Sequence, residues 1–523
     1  MIDLSSATVF PEWLASLAQR YGDKPALACD EDMLSYSQLY DASRRCAVDL
    51  AGRGVKKGDA VLLMAANGLD WLVSFFGIVL AGGVAALANY SLNGEDTARI
   101  TRLANAEWAV LNVDDLFGIQ PGTVARAIEN GGVPPAHILS ARALYTAARS
   151  APPSEDELSA VQALAALTKP QDTQVIIFTT GTTSQPKAVQ LSSRGLLANA
   201  IGSLEIGRKD IGKAVCHALS LFHIFGFVHT LRILENGGFA CLPREISPEA
   251  VVELIERWNV DTLASVGTVY RMLVALPGFK EKGEGNIKSC IWGASELTGA
   301  DAERLRACLG DTQILPGYGL SECSCVVSTS ASDIPPERRM TTVGRLNPSL
   351  DVRIWLEGRG FMPPGEPGEI VVAGPCLMNG YLGVPREEQP IDEDGWLHTG
   401  DLGLITEDGL LQLKGRSKDL IKRAGENISP AEIEEALLEE PCIRDAKVIG
   451  LPHPFLGESV EACVVLREGE LDEKRLRLSL RKKLSPYKLP DHIVPFPSFP
   501  LNTNGKVNML QLKKMLAEKL CEV

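Results

Sequence analysis

VIIFTTGTTSQPKAVQLSS, running from Val175 to Ser193, sets four threonines, one glycine and one lysine behind a run of β-formers. Val175-Ile176-Ile177-Phe178 reads as a buried strand. Ser192 or Ser193 reads as the cap of a helix beginning near Gly195-Leu196-Leu197-Ala198-Asn199-Ala200. A strand, a small-residue loop and a helix in that order mark an α/β unit and suggest a phosphate site. Threonine hydroxyls and unpaired backbone N–H groups supply neutral donors there, and Lys187 adds a mobile positive charge. The common G-x-x-x-x-G-K-[ST] loop does not fit, because counting from Gly181 puts Pro186 and Ala188 at two of its fixed positions. Taken alone, the stretch also reads as a Thr-rich surface turn.

The 523 residues imply about three compact units at roughly 150 residues each. A hydrophobic share of 45% and a charged share of 23% are those of an ordinary globular chain with a sizeable core. The net charge of −14 argues against a nucleic-acid binder held by a general basic field. Twelve cysteines occur without a C-x-x-C pair, and the first residues lack a secretory pattern, so free thiols in a reducing cytoplasm are expected. Cys323 and Cys325, even with His223 and His229, do not have a zinc-finger spacing and read as buried thiols. No charge interrupts Trp71 to Ala88, but Gly82-Gly83 breaks the run and Asp70 precedes it; a buried helix leading into a core strand fits better than a membrane span.

Helical and strand patterns alternate, as in Val61–Met64, Trp71–Leu80 and Val84–Leu87, which points to layered α/β domains. Ser150 to Asp172 reads as a surface segment. After Tyr318, short strands around Val352–Trp355, Glu369–Val372 and Leu411–Leu413 lie between Pro/Gly turns and suggest a β-rich subdomain. The last hundred or so residues alternate again, with helices over Pro430–Glu439 and Asp472–Leu484 and strands over Ala446–Gly450 and Glu461–Leu466. The expected fold is therefore α/β. It has a large layered N-terminal part of two α/β subdomains plus a β-rich one, followed by a small α+β unit.

Polar clusters recur at turns. His223 sits in the aromatic run Leu221–Phe227, where a satisfied core histidine is the plainer explanation. Gly317-Tyr318-Gly319-Leu320-Ser321-Glu322 joins a flexible backbone to an aromatic face and a carboxylate, suited to stacking a base and offering Mg²⁺ an oxygen ligand. Gly395 to Asp401 ends in an acid placed to accept from ribose hydroxyls. Gly415-Arg416-Ser417-Lys418-Asp419 follows, and Asn502 to Lys506 puts one lysine on a tight turn.

In this order and spacing the clusters resemble the adenylate-forming superfamily, which includes acyl-CoA synthetases, firefly-type luciferases and peptide-synthetase adenylation domains. The resemblance extends from about Phe10 to Lys514. It implies that Thr179, Thr180, Gly181, Thr182, Thr183 and Lys187 hold the ATP β- and γ-phosphates, with Thr182 counted among the catalytic groups. It implies that Glu322 organises Mg²⁺, that Asp401 grips the ribose, and that Arg416 contacts the nucleotide. Gly317, Tyr318 and Gly319 would lie beside the nucleotide. Ser295 and Glu296, in Gly293-Ala294-Ser295-Glu296-Leu297, would lie beside adenine and acyl group, and His223 at the acyl-pocket wall. Lys506 would reach the substrate carboxylate and α-phosphate. The resemblance implies that Lys418 is a hinge dividing an N-terminal domain, 1–417, from a small mobile α+β C-terminal domain, 418–523, and that Gly425, within Lys422 to Asn427, lets the backbone approach pantetheine. Ser184, Ala188, Thr180 and Ser321 depart from the residues usual in the family.

The implied activity is that of an ATP-dependent acid:CoA ligase on a fatty or aryl acid. ATP, Mg²⁺ and coenzyme A take part, with no nucleic acid, and the oligomeric state is open between monomer and homodimer. His229, one helical turn beyond Phe225, keeps acids with polar tails open. The basic stretch from Lys474 to Lys483 reads first as a solvated helix face and second as an attractor of coenzyme A phosphates. Two alternatives stand beside the ligase: a stand-alone adenylation enzyme charging a separate carrier protein, and a nucleotide-binding homologue without catalysis.

Overall fold

The computed structural model describes residues 9–112, 122–150, 154–180, 186–295, 297–416, 420–423, 426–453, 456–501 and 507–521. The chain divides into two compact units, one of 1–352 with 372–397, the other of 353–371 with 398–523. The expected boundary at 417/418 falls outside the described residues.

Two sheets organise the larger unit. In the first, six parallel strands run in the order Gln313–Leu320, Ser289–Gly293, Thr262–Val266, Ala214–Ala218, Phe239–Leu242 and Pro25–Cys29, with antiparallel strands at both edges. Their sequences are nearly all apolar because helices cover both faces. Cys216 and Ala218 point into a core with Leu254, Tyr270 and Trp292, whereas His217 on the same strand points to the other face. The second sheet runs Gly380–Tyr381, Pro186–Ser192, Thr173–Thr180, Val84–Leu87, Ala60–Ala65, Ala106–Asn112 and Ile138–Ser140.

The uncharged run resolves as expected into helix Leu69–Leu80 and strand Val84–Leu87. All twelve residues of that helix are buried, but it spans only about 18 Å. No helix of the described residues is long and apolar enough to cross a membrane. Its aromatic side chains Trp71, Phe75 and Phe76 pack with Phe10, Trp13 and Phe227, anchoring helix Ile224–Glu235. The segment expected to be plain surface contains helix Glu155–Ala166, started by a reciprocal Ser154/Glu157 capping box.

In the smaller unit one five-stranded sheet includes the hairpin Leu397–Ile405/Leu411–Arg416. A second contains Ile443–His453 paired with Gly457–Leu466, and hairpin Ile421–Arg423/Glu426–Ile428. Alternation along Gly457–Leu466 buries Val460, Ala462 and Val464 against helices Pro430–Leu438 and Glu473–Lys483, and Cys463 and Val465 against Leu512 and Leu516 of Met509–Cys521. The helix and strand positions read from sequence hold here to within a few residues.

Helix Ser193–Gly207 is capped by Ser192, whose hydroxyl accepts from the Gly195 N–H. One turn on, the buried Asn199 amide donates to the carbonyls of Cys323 and Val326, both at 2.9 Å, and accepts from the Val326 N–H at 3.0 Å. It fixes the turn that carries Glu322. Asn199→Ala should cost about 3 kcal/mol, since it strands buried polar backbone, and urea unfolding should show it. A change under about 0.5 kcal/mol would show that the clamp does not hold the turn.

Candidate active site

Between the threonine loop and the helix the structure inserts a second strand, Pro186–Ser192, antiparallel to Thr173–Thr180. The expected strand–loop–helix order is corrected to a β-hairpin, with Thr179 opposite Lys187 and Thr180 opposite Pro186. Pro186 begins the strand, where its missing donor is tolerated, and Ala188, Val189 and Leu191 are buried. The helix dipole therefore does not open at the loop, so charge there must come from side chains.

Lys187 supplies it. Its Nζ stands 4.4 Å from the centroid of the Tyr381 ring, a cation–π contact. The Tyr381 hydroxyl donates to Glu322 Oε1 at 2.7 Å. Tyr381 is held by edge pairing with Val189, while Gln389 accepts from its N–H at 2.8 Å and donates to its carbonyl at 3.1 Å. Burial, and then the Glu322 carboxylate, push its phenol well above the ordinary tyrosine range, so it stays a donor. Two of the sequence-derived residues, Lys187 and Glu322, are thus joined through a third that sequence reasoning missed. Its signal was a lone Gly-Tyr pair, with the Glu322 partner 59 positions away.

The Gly317–Glu322 motif is strand Gln313–Leu320 followed by a single 3₁₀ turn, Ser321–Cys323. The expectation of a flexible backbone is corrected. A Cβ on Gly319 would lie 1.6 Å from the Cys325 carbonyl oxygen, so glycine is required there by close strand approach. Tyr318 pairs with Ser328 across a bulge that bends the strand toward Glu322. Ser324 and Cys325 take positive φ of 55° and 110°, and Ser324 Oγ donates to the Cys376 carbonyl at 2.8 Å. Cys323 and Cys325 are buried thiols, as expected.

His223 sits at the N-terminal cap of Ile224–Glu235, against Phe222, whose ring meets Tyr90. Gly226 is forced by the Ser220 carbonyl, 2.2 Å from where a Cβ would stand. Phe225 covers Gly293 at the end of strand Ser289–Gly293. Beyond Gly293, Ala294 has φ of 59°, and Ser295 Oγ accepts from the Gly267 N–H at 2.9 Å. Phe222, His223, Phe225 and Gly293–Ser295 thus gather at one end of the parallel strands, where ligands of open α/β sheets bind.

One turn deeper, His229 is 1% exposed, with its ring centroid 5.5 Å from that of the fully buried His217. Burial holds His217 down at about pKa 4, and burial with the nearby Arg232 charge holds His229 well below the ordinary range. Both are neutral near neutral pH.

In the smaller unit Asp401 and Arg416 face each other across a hairpin, with Arg416 Nε donating to Asp401 Oδ1 at 2.7 Å. The Asp401 N–H donates to Thr399 Oγ1 and the Gly400 N–H to Glu369 Oε1, so the turn is pinned. Asp401 is buried while Arg416 reaches solvent. Arg423 donates to Asp491 at 2.6 Å, fixing the paired strands Ile421–Arg423 and Glu426–Ile428. Within the basic stretch, Arg477 pairs with Glu473 and Lys483 with Glu439 and Glu440. Gly181, Thr182, Thr183, Ser184, Glu296, Ser417, Lys418, Gly425 and Lys506 lie outside the described residues, as does the side chain of Thr180.

The AMP-binding enzyme family matches residues 14–382, and the AMP-binding enzyme C-terminal domain matches residues 432–506. The long-chain-fatty-acid–CoA ligase of Escherichia coli O6:H1 is 29% identical over 531 residues, covering 94% of this chain and 92% of the relative. The fatty acid–acyl-carrier-protein ligase ScoC of Streptomyces coeruleorubidus is 30% identical over 509 residues, covering 95% and 94%. Among solved structures, ATP-bound MatB from Rhodopseudomonas palustris aligns with a TM-score of 0.84 at 26% identity, over 97% of this chain and 98% of that one.

The buried histidines make stability depend on pH. The folded pKa of His217, about 4, lies below the ordinary 6.5, so the unfolded chain takes up its proton first as pH falls. The stability is complete above about pH 6.5 and is lost as pH falls toward about 4. Between about pH 7.5 and about pH 5 this amounts to roughly 2 kcal/mol for His217. His217→Gln should remove that part of the slope in urea-unfolding midpoints. Parallel curves for the two proteins would contradict the neutral, buried state.

Proposed function

The chain belongs to the AMP-binding enzyme family, and on that premise we propose that it is an acyl-CoA ligase that couples a carboxylic acid to coenzyme A through an acyl-adenylate. The observation that carries the proposal is the Lys187–Tyr381–Glu322 constellation at the base of the threonine hairpin. It holds a positive charge on the face and a carboxylate at the hydroxyl of one phenol, the two kinds of group a Mg²⁺-bound triphosphate requires. A half-buried carboxylate oxygen fits a hard divalent cation. When bound, the Mg²⁺ held by Glu322 would neutralise phosphate charge.

A free carboxylate is a poor electrophile, because a thiol cannot expel oxide. In the first step a carboxylate oxygen attacks the ATP α-phosphorus, and the bond to the departing pyrophosphate breaks. Lys187 moves from the Tyr381 face to the β- and γ-phosphates, together with the hydroxyls of the hairpin tip. Lys506 bridges the acid carboxylate and the α-phosphate, and Asp401, with Arg416 beside it, grips the ribose. In the second step the thiolate attacks the acyl carbon and AMP leaves with the bonding electrons. Lys506 must then withdraw, with the chain turning about Lys418 and Gly425 letting the backbone approach pantetheine. The acyl group lies against Phe222, His223 and Phe225, an apolar wall suited to a fatty or aryl acid. ScoC, at 30% identity, favours a separate carrier protein as a second acceptor.

Acid-dependent pyrophosphate release, followed by thioester formation only when coenzyme A is added, tests this reading. Thioester on a pantetheinylated carrier but not on coenzyme A would favour the second acceptor. Release with no acid in a broad panel would leave only nucleotide binding.

Lys506→Ala should slow acid-dependent pyrophosphate release by about a hundredfold or more, yet leave thioester formation from supplied acyl-adenylate within a few-fold. Equal loss of both steps would place Lys506 outside a purely adenylating role.

A further inference from the structure

The residues just before Asp401 are held by the neighbouring strand. Strand Leu397–Ile405 lies beside Gly368–Ala373 in its five-stranded sheet. The Glu369 carboxylate spans the segment: Oε1 accepts from the Gly400 N–H and Oε2 from the His398 Nδ1–H, both at 2.8 Å. Between these contacts the Thr399 hydroxyl donates to the Ile370 carbonyl at 2.6 Å and accepts from the Asp401 N–H at 3.0 Å. Glu369 and Ile370 together therefore fix His398, Thr399 and Gly400, and through Thr399 the backbone of Asp401.

A carboxylate suits this position. Gly400 has φ of 71°, in the left-handed region, so the strand kinks one residue before Asp401. The direction in which the Asp401 side chain leaves depends on how that kink is held. Both oxygens of a carboxylate accept, so one group can take a backbone N–H and an imidazole N–H at once. The clamp is rooted in packed structure. Ile370, Val371 and Val372 are buried, and a Cβ on Gly368 would stand 2.5 Å from the Trp355 carbonyl oxygen, so this strand is pressed against Asp351–Leu356. The Trp355 ring meets His398 edge to face, with centroids 5.0 Å apart and planes at 89°, which restricts the imidazole.

Asp401 is thus fixed from two directions. Arg416 donates to its Oδ1 at 2.7 Å from the other strand of the hairpin, and Glu369 holds the kink in the backbone that precedes it. Loss of Arg416 would remove a charge from the Asp401 carboxylate. Loss of Glu369 would leave the Arg416 pair in place and change where the carboxylate points, and a hydrogen bond weakens steeply as its angle departs from linear.

We propose that Glu369 is a positioning residue for the nucleotide, aiming Asp401 at the ribose hydroxyls and so setting the preference for a ribonucleotide over one that lacks them. It acts through Asp401. The inference rests on the reading of Asp401 as the ribose acceptor and names the group on which that contact depends.

The test is nucleotide binding, measured by calorimetry on the full chain with Mg²⁺ and either ATP or 2′,3′-dideoxyATP, so that no acid need be identified. The wild type should bind ATP about tenfold or more tighter than the dideoxy analogue, the worth of hydrogen bonds to a charged acceptor. Glu369→Ala should weaken ATP by about tenfold and leave the analogue within about twofold, erasing the preference. Glu369→Gln, whose amide oxygen still accepts from the Gly400 N–H, should keep most of it. Should the Ala variant not fold, Glu369→Asp decides: its carboxylate is one methylene shorter and cannot hold Gly400 and His398 together, so the preference should fall several-fold. A preference that survives in the variants at full strength, or equal weakening of both nucleotides as a merely structural clamp would give, would overturn the inference and leave the ribose reading standing. Equal affinities in the wild type would instead remove the ribose reading of Asp401, and this inference with it.

Discussion

A phenol bridges an ammonium and a carboxylate where the two sheets of the larger unit meet. The Tyr381 ring receives Lys187 and its hydroxyl serves Glu322. Tyr381 and Lys187 belong to one sheet; Glu322 follows the last parallel strand of the other. Lys187 and Glu322 would otherwise attract directly and collapse into an ion pair. The tyrosine satisfies both while keeping them apart, leaving each able to exchange its present partner for a phosphate or a cation. Much of the nearby backbone serves that spacing. Gln389 grips both sides of Tyr381, the Met378 N–H donates to the Glu322 carbonyl, and Asn199 ties the Glu322 turn from behind. Gly319 gives up a side chain so that two strands can close at the same point.

Charge is handled differently at the other polar positions. Asp401 and Arg416 neutralise each other across a hairpin, with the aspartate inside and the arginine reaching solvent. A ligand hydroxyl can bond Asp401 without burying a new charge, which suits a ribose. Arg232 is held otherwise: it lies buried, its Nη1 donates to the neutral His229 Nδ1, and it borders a small cavity with Asp210.

Much of the fold was legible because apolar periodicity dominates it. The fully buried helix at Leu69–Leu80, the core strand after Gly83 and the alternating strands of the C-terminal residues follow directly from pattern. The strand Pro186–Ser192 was not, since a proline and a lysine open it and its apolar residues are few. Its pairing with the preceding strand, a long-range choice, decides its conformation. Helix Glu155–Ala166 lies in a stretch read only as a surface segment; it is mostly exposed, and its capping box was a readable signal that went unused. The polar clusters were legible as an ordered set. Their joining residue was not, because Tyr381 gains its meaning from an edge pairing and from a partner distant in sequence. Arg232 was also unremarked, since an arginine on a helix is ordinarily solvated, and only the packed structure shows it inside.

The central claim, that a carboxylate oxygen attacks the α-phosphorus of ATP in this site, is tested most directly by oxygen transfer. An acid labelled with heavy oxygen in its carboxylate is turned over with ATP, and the phosphorus products are separated and weighed by mass spectrometry. The account predicts one labelled oxygen in AMP and none in pyrophosphate, because the bridging oxygen of the acyl-adenylate leaves with AMP when the thiol attacks. Label in inorganic phosphate, with ADP as the nucleotide product, would place attack at the γ-phosphorus and contradict it.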